Sequence, residues 1–328
     1  MKVAIVKLSA MGDIIHAMVA LQYLKQAHPS LQIDWIVEQG FIQVLENNPH
    51  IDNILTVNLK SIKKDKMALF SEIKKIKTYA ENNYDLVIDA QGLIKSAITA
   101  KLLGKNVAGF SKESIREGVA SYFYNQKVEI AYEANAIERN VKVLAEPLKV
   151  TINKEDILNK KPFLYFNKED ENLIDLKEYI LFIVGASVIN KVYPKEHFLE
   201  VAKILNKNIL VIWANETEKE VADYLDELDN VTVAPKMNLN QLKAVIAHAK
   251  LVIGGDTGPT HMAWALNVPS ITIFGNTPEH RNTYITPINQ VVKSDSEVNP
   301  LKLDKSDFSI KDIKPQTIVT LAKELLHA

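Results

Sequence analysis

Short, unbroken apolar runs recur along this chain at residues 3–6, 33–37, 54–57 and 86–88, each bounded by polar or glycine-containing segments. Runs so short and so continuous predict strands buried on both faces, as in a parallel sheet. Between them, 14–27 and 69–81 place apolar residues at helical spacing, and a further helix is expected from Leu93. The second half repeats the style, with strands expected at 179–184, 208–213, 231–233, 251–253 and 270–274. Helices are expected there at 195–205, 216–228, 239–249 and 262–266, and the final pattern, 315–327, is amphipathic. Strands alternating with helices predict an α/β protein, each half a Rossmann-like parallel sheet with helices on its faces. The stretch 150–175 lacks periodicity and is rich in Lys, Asn, Asp and Glu, so the boundary falls there, giving domains 1–165 and 166–328. Two such domains facing a central cleft would bind ligand at the carboxyl ends of their strands. The last helix, 315–328, has the option of packing back on the first domain.

Composition narrows the chemistry. The 328 residues are 47% hydrophobic and 24% charged, as in a soluble globular chain. A formal net charge of −1 argues against a protein built to coat nucleic acid. The absence of cysteine excludes disulfides, thiolate nucleophiles and cysteine metal sites. The opening MKVAIVKLSAMGD has an apolar run interrupted by Lys7, which suits a first strand and not a signal peptide. No run of about 18 apolar residues occurs, so no transmembrane helix is expected and the expected location is the cytoplasm.

The richest stretch is LVIGGDTGPTH, 251–261. A strand that stops at glycines and restarts as a helix aims backbone N–H groups and the positive end of a helix dipole at one point, which suits a phosphate. Asp256, Thr257 and His261, with Gly258, add hydrogen-bonding groups that a bare phosphate cradle does not need, pointing to a phosphate that carries a polyol, such as a nucleotide sugar. The plain alternative is a tight strand–helix turn with a capping Asp. The strand at 179–184 ends comparably in Gly185-Ala186-Ser187, with Lys191 following. Ser187 and Lys191 could hold a diphosphate and stabilise it as a leaving group; the alternative is an exposed loop lysine. Met237 could pack on a base, and Glu218 could reach a ribose.

The first strand ends at Lys7 and runs into LSAMGD, with Ser9, Gly12 and Asp13 expected in the turn before the helix. Asp13 could simply cap that helix. It could equally act as a general base, because a helix N-terminus favours a carboxylate. Lys7 and Ser9 could then position an anionic acceptor, while His16 belongs to the helix face. Lysines stand at Lys60, Lys63, Lys64, Lys66, Lys74, Lys75 and Lys77, opposed by Asp65 and Glu72. A solvated helix face is one explanation; in a nearly neutral protein the local excess also favours an anionic partner, either an acidic acceptor or an anionic membrane surface. Arg116 and Arg139 are further polar candidates.

Taken in order, KLSAMGDIIHAMVAL, IDAQGLIKSA, REGVASYFYN, NKVYP, PKMNL and GGDTGPTHMAWAL resemble the heptosyltransferases of lipopolysaccharide core assembly, glycosyltransferase family 9, over nearly the whole chain. KLSAMGD, DAQGLIKS and REGVASYFYN look more like the type I branch than type II. The resemblance implies a GT-B fold, with acceptor on the N-terminal domain and ADP-heptose on the C-terminal one. It implies inverting transfer of L-glycero-D-manno-heptose to the Kdo of Kdo-lipid A, without a metal or other cofactor, by an enzyme held peripherally on the cytoplasmic face of the inner membrane. It assigns Asp13 as catalytic base and Lys191 as phosphate-binding lysine. Donor contacts fall to Ser187, Glu218, Met237, Asp256, Thr257, Gly258 and His261. Acceptor contacts fall to Lys7, Ser9, Gly12, Lys60, Lys63, Lys64, Arg116 and Arg139. The sequence departs from the family in GASVINK before the lysine, and in an acceptor loop rich in lysine where arginine is usual, which keeps charge but loses the bidentate fork. Open alternatives are an enzyme adding a later heptose, a GT-B-like nucleotide-sugar epimerase, and a non-catalytic nucleotide-binding module.

Overall fold

The structure, a computed structural model, describes residues 1–61 and 67–327. The chain divides into two compact units, Met1–Tyr165 and Phe166–Ala328. In the first, the strands are β1 (Lys2–Val6), β2 (Gln32–Glu38), β3 (Asn53–Val57), β4 (Leu86–Asp89), β5 (Val107–Phe110) and β6 (Gln126–Val128). Helices α1 (Met11–Met18), α2 (Ala20–Ala27), α3 (Ile42–Leu45), α4 (Met67–Ala80), α5 (Ile94–Leu103), α6 (Ala136–Ala145) and α7 (Lys154–Leu158) intervene or follow. In the second, the strands are β7 (Ile180–Ile183), β8 (Ile209–Ile212), β9 (Val231–Val233), β10 (Leu251–Gly255), β11 (Ser270–Phe274) and β12 (Asn289–Lys293). Its helices are α8 (Lys195–Leu205), α9 (Glu216–Leu225), α10 (Leu239–His248), α11 (Gly258–Ala265), α12 (Glu279–Asn282) and α13 (Pro315–His327).

The first sheet runs β3-β2-β1-β4-β5-β6 and the second β9-β8-β7-β10-β11-β12, every pairing parallel. Both are the doubly wound order in which the chain reverses direction of winding between the first and fourth strands, β1/β4 and β7/β10. That reversal opens a crevice at the strands' carboxyl ends, where ligands bind in such sheets. Central strands are buried on both faces, so they read as continuous apolar runs: Val3, Ala4, Ile5 and Val6 are all inaccessible. In the second unit Phe182 and Phe198 rings stack at 5.2 Å, with Tyr193 edge-on to Phe198.

Three expectations change. The helix expected at 14–27 starts at Met11, and Val19 separates α1 from α2; Gly12 and Asp13 therefore lie in a first helical turn and not in the preceding loop. Strands β5, β6 and β12 were not legible. β5 is four residues interrupted by Gly109, while β6 and β12 are edge strands with polar residues, so none forms an apolar run. The amphipathic face of α13 lies in the second unit's own core, where Ile318, Val319 and Ala322 are fully buried alongside α8 and the sheet. Its apolar stripe is thereby used within that unit, so the option of packing on the first domain is set aside. Among the described residues, no helix is long and apolar enough to cross a membrane.

Candidate active site

At the β1/β4 crevice, the chain leaving β1 is held by the turn leaving β4. The Gln91 side-chain carbonyl accepts from the backbone N–H groups of Leu8 and Ser9, both at 3.0 Å. Lys7 is buried and its Nζ donates to the Ala90 carbonyl at 2.9 Å. Lys7 thus ties the two strand ends together, and its ammonium is spent on the scaffold. Gln91 is fixed in turn by Asp89, whose Oδ1 accepts from the N–H groups of Gln91 (2.9 Å) and Gly92 (3.2 Å). Asp89 Oδ2 accepts from Ser96 (2.8 Å) and Tyr124 (2.7 Å). Burial pushes the Asp89 carboxyl up despite these four donors, because none carries a positive charge. A Cβ at Gly109 would sit 2.5 Å from the Tyr124 ring, so the missing side chain is what lets Tyr124 reach Asp89.

On this braced loop, Asp13 sits half-buried in the first turn of α1, and its Oδ2 accepts from the Ala10 N–H at 3.3 Å. The carboxylate both caps the helix and stands at the carboxyl edge of the sheet. Ser9 and Gly12 flank it, partly accessible. His16 is buried on the inner side of α1.

Sequence reasoning missed Glu38, at the end of β2, whose N–H donates to the Leu8 carbonyl at 3.2 Å. It is buried, and among the described residues its Oε1 has no hydrogen-bond partner. Burial raises its pKa, with Lys95 and Lys60 pulling the other way. The glycine after Glu38-Gln39, at a strand's end, was the available signal.

The basic candidates separate. Lys60 is exposed with its Nζ 5.1 Å from the Phe41 ring, and Arg116 is exposed. Lys63, Lys64 and Lys66 lie outside the described residues. Arg139 is a correction: its buried guanidinium donates to the carbonyls of Ser114 (2.6 Å), Ala131 (2.6 Å) and Ile130 (3.4 Å), between the Phe110 and Tyr132 rings. It staples the loop that carries Arg116, and its donors face the protein's own backbone.

At the β7/β10 crevice the central group is Asp256, immediately after β10. Its Oδ2 accepts from Lys191 Nζ (2.8 Å), Thr277 (3.0 Å) and Asn282 (3.0 Å), and its Oδ1 faces His261 Nε2 at 3.1 Å. Burial alone would raise this carboxyl, but the His261 hydrogen bond and the Lys191 charge outweigh it and hold the group well below the usual carboxylate range. Asp256 therefore orients Lys191 and His261 while its own oxygens are occupied. Thr277 and Asn282 were not foreseen, although GNTP follows β11 much as GGDT ends β10. The two glycines themselves belong to β10.

Helix α11 opens beside this cluster. Its N-cap Thr257 makes no side-chain cap, and Thr260 turns its hydroxyl to the Gly255 carbonyl at 2.7 Å. The first-turn N–H of Gly258 is thus left for an anion. Ser187 lies exposed in the loop after β7, and Lys191 closes a 3₁₀ turn, Ile189–Lys191. Glu218, in the first turn of α9, accepts from the Ala214 N–H (2.7 Å) and Asn215 Nδ2 (2.8 Å). A Cβ at Gly185 would lie 2.1 Å from the Glu218 carboxyl carbon, so β7 ends in glycine because that carboxylate crosses there. Met237 is half-buried in the loop between β9 and α10. Among the described residues, no group of three or more His, Asp or Glu is arranged to hold a metal ion.

Comparison with known proteins gives this arrangement its context. The model of glycosyltransferase family 9 (heptosyltransferase) matches residues 73–308. Lipopolysaccharide heptosyltransferase 1 of Campylobacter coli is 37% identical, covering 99% of this chain and 99% of that protein. Its counterpart in Escherichia coli (strain K12) is 36% identical over 84% of this chain and 88% of its own length. Among solved structures, E. coli heptosyltransferase WaaC with ADP-2-deoxy-2-fluoro heptose has a TM-score of 0.80 and 29% identity, with 99% of both chains covered. With two doubly wound sheets of the GT-B type and relatives matched end to end, this chain belongs to glycosyltransferase family 9, the heptosyltransferases.

Proposed function

We propose that this enzyme moves L-glycero-D-manno-heptose from ADP-heptose to the Kdo of Kdo-lipid A, inverting the anomeric centre. The observation that carries the reading is the pair of sites at equivalent crevices of two like sheets: an accessible carboxylate on a braced loop in one, and an oriented lysine beside an uncapped helix end in the other. The relatives named above are lipopolysaccharide heptosyltransferases, and one solved structure contains an ADP-heptose analogue.

In the mechanism, the Asp13 carboxylate takes the proton from a Kdo hydroxyl as that oxygen attacks the anomeric carbon, and ADP leaves from the opposite face. Lys191, Ser187 and the α11 N-terminus, at Thr257 and Gly258, take up the charge that develops on the diphosphate. Asp256 acts through Lys191 and His261, which it holds. Glu218 reaches the ribose hydroxyls and Met237 packs on the adenine. The reaction needs no metal in this account, because a lysine and a helix end supply the positive charge. Lys60, Arg116 and the lysines that follow Lys60 attract the acidic acceptor, and the enzyme works at the cytoplasmic face of the inner membrane.

The test is Asp13→Asn in the full-length protein. Turnover should fall by about 10²–10⁴-fold, the usual contribution of a positioned base, while ADP affinity by calorimetry stays within about twofold of the parent. Retention of most activity would remove Asp13 as the base.

A further inference from the structure

Large apolar side chains left in solvent concentrate on three consecutive segments of the first unit. Leu69 and Phe70 open α4, Ile94 and Ile98 stand on the outer side of α5, and Val119 and Tyr122 project from the 3₁₀ segment Gly118–Phe123. Phe70 is 68% exposed, Tyr122 71% and Val119 57%. The segments pack side by side, α5 against both α4 and the 3₁₀ segment, and the Glu117 carboxylate accepts from the Ile94 N–H at 2.8 Å. A monomeric protein rarely leaves side chains of this size grouped in water, and such a group marks an interaction surface.

The surrounding charge identifies the partner. Exposed Lys74 and Lys77 lie on α4, Lys95 and Lys101 on α5, and Lys112 and Arg116 on the approach to the 3₁₀ segment, opposed by exposed Glu81 and Glu113. Lysine is depleted at protein–protein interfaces. Aromatic and aliphatic side chains ringed by lysine fit the boundary between headgroups and acyl chains in an anionic bilayer, with Tyr122 suited to the headgroup level. Each segment follows the carboxyl end of a strand, the end of the sheet that carries Asp13 and Gln91.

We propose that the face formed by α4, α5 and residues 118–123 docks on an anionic lipid bilayer, inserting Phe70, Val119 and Tyr122, so that the sugar of a lipid acceptor reaches Asp13 while its acyl chains stay in the membrane. The position of the acceptor rests on the heptosyl-transfer reading; the docking does not.

The experiment is sedimentation of the full-length protein with phosphatidylglycerol/phosphatidylethanolamine vesicles and with phosphatidylcholine vesicles. It compares the parent with Phe70→Asp/Tyr122→Asp and with Lys74→Glu/Lys101→Glu. The parent should partition to the anionic vesicles. The aromatic pair should lower that partition by about tenfold or more. The lysine pair should abolish the preference for anionic lipid, as should high salt in the parent. Both variants should bind ADP and turn over a de-acylated acceptor as the parent does, while losing turnover on vesicle-borne acceptor. Vesicle binding unchanged in the aromatic variant would overturn the proposal. So would a parent dimer that the variant converts to monomer with vesicle binding intact, since a second copy would then cover the face. Failure of the parent to use de-acylated acceptor would instead count against the transferase reading and leave the vesicle result standing.

Discussion

Asp256 shows how a buried charge can serve a site without touching its ligand. Its partners are a lysine, a histidine, a hydroxyl and an amide, and its side chain is almost fully covered while that of Lys191 is about one-fifth exposed. Because its pKa is depressed in the folded state, the group contributes stability above its unfolded value, near 3.9. That contribution is lost as pH falls from about 4 toward the lower folded value. Asp256→Asn should cost about 3 kcal/mol at pH 7, the low end for breaking a buried pair, and should flatten the acid dependence of unfolding. Urea titrations at pH 7 and pH 3, followed by tryptophan fluorescence, would read both effects; equal acid sensitivity in parent and variant would contradict this. Asp256, His261 and Lys191 were legible because each lies just past a strand's end. The task of Arg139 was not, since its three carbonyl partners are brought to it only by the folded loop. Glu38 was likewise hidden: a single acid after a strand does not announce that its carboxyl will be buried without a full set of partners.

Among the elements, the strands that form the crevices were the easiest to foresee. β1, β2, β4, β7, β10 and β11 are buried on both faces, and burial on both faces writes an apolar run. Edge strands lack that demand, so β6 and β12 left no comparable mark. The start of α1 at Met11 was missed because LSAMGD contains the residues of a turn, yet Asp13 satisfies the Ala10 N–H from inside the helix. The close crossing of β7 and α9 is a sharper matter. Gly185→Ala must push the Glu218 carboxylate off its bonds to Ala214 and Asn215. The variant should fold but bind ADP about tenfold more weakly, the equivalent of losing one well-placed hydrogen bond to a charged group. Calorimetry with ADP checks it, and an unchanged affinity would remove Glu218 from the ribose site.

For the whole molecule, one strand order is used twice, and chemistry gathers at the same reversal in each sheet. The near-neutral net charge conceals an uneven distribution, with basic residues grouped on the α4 and α5 face of the first unit. The two-domain α/β plan was legible from alternating periodicities. The home of α13 was not, because an amphipathic stripe tells that a helix is covered and not by what. The most direct test of the account is ADP release from ADP-heptose with and without de-acylated Kdo-lipid A. The account predicts release that requires this acceptor and is much slower with an already heptosylated one. Release that ignores the acceptor, or that requires the heptosylated form, would contradict it.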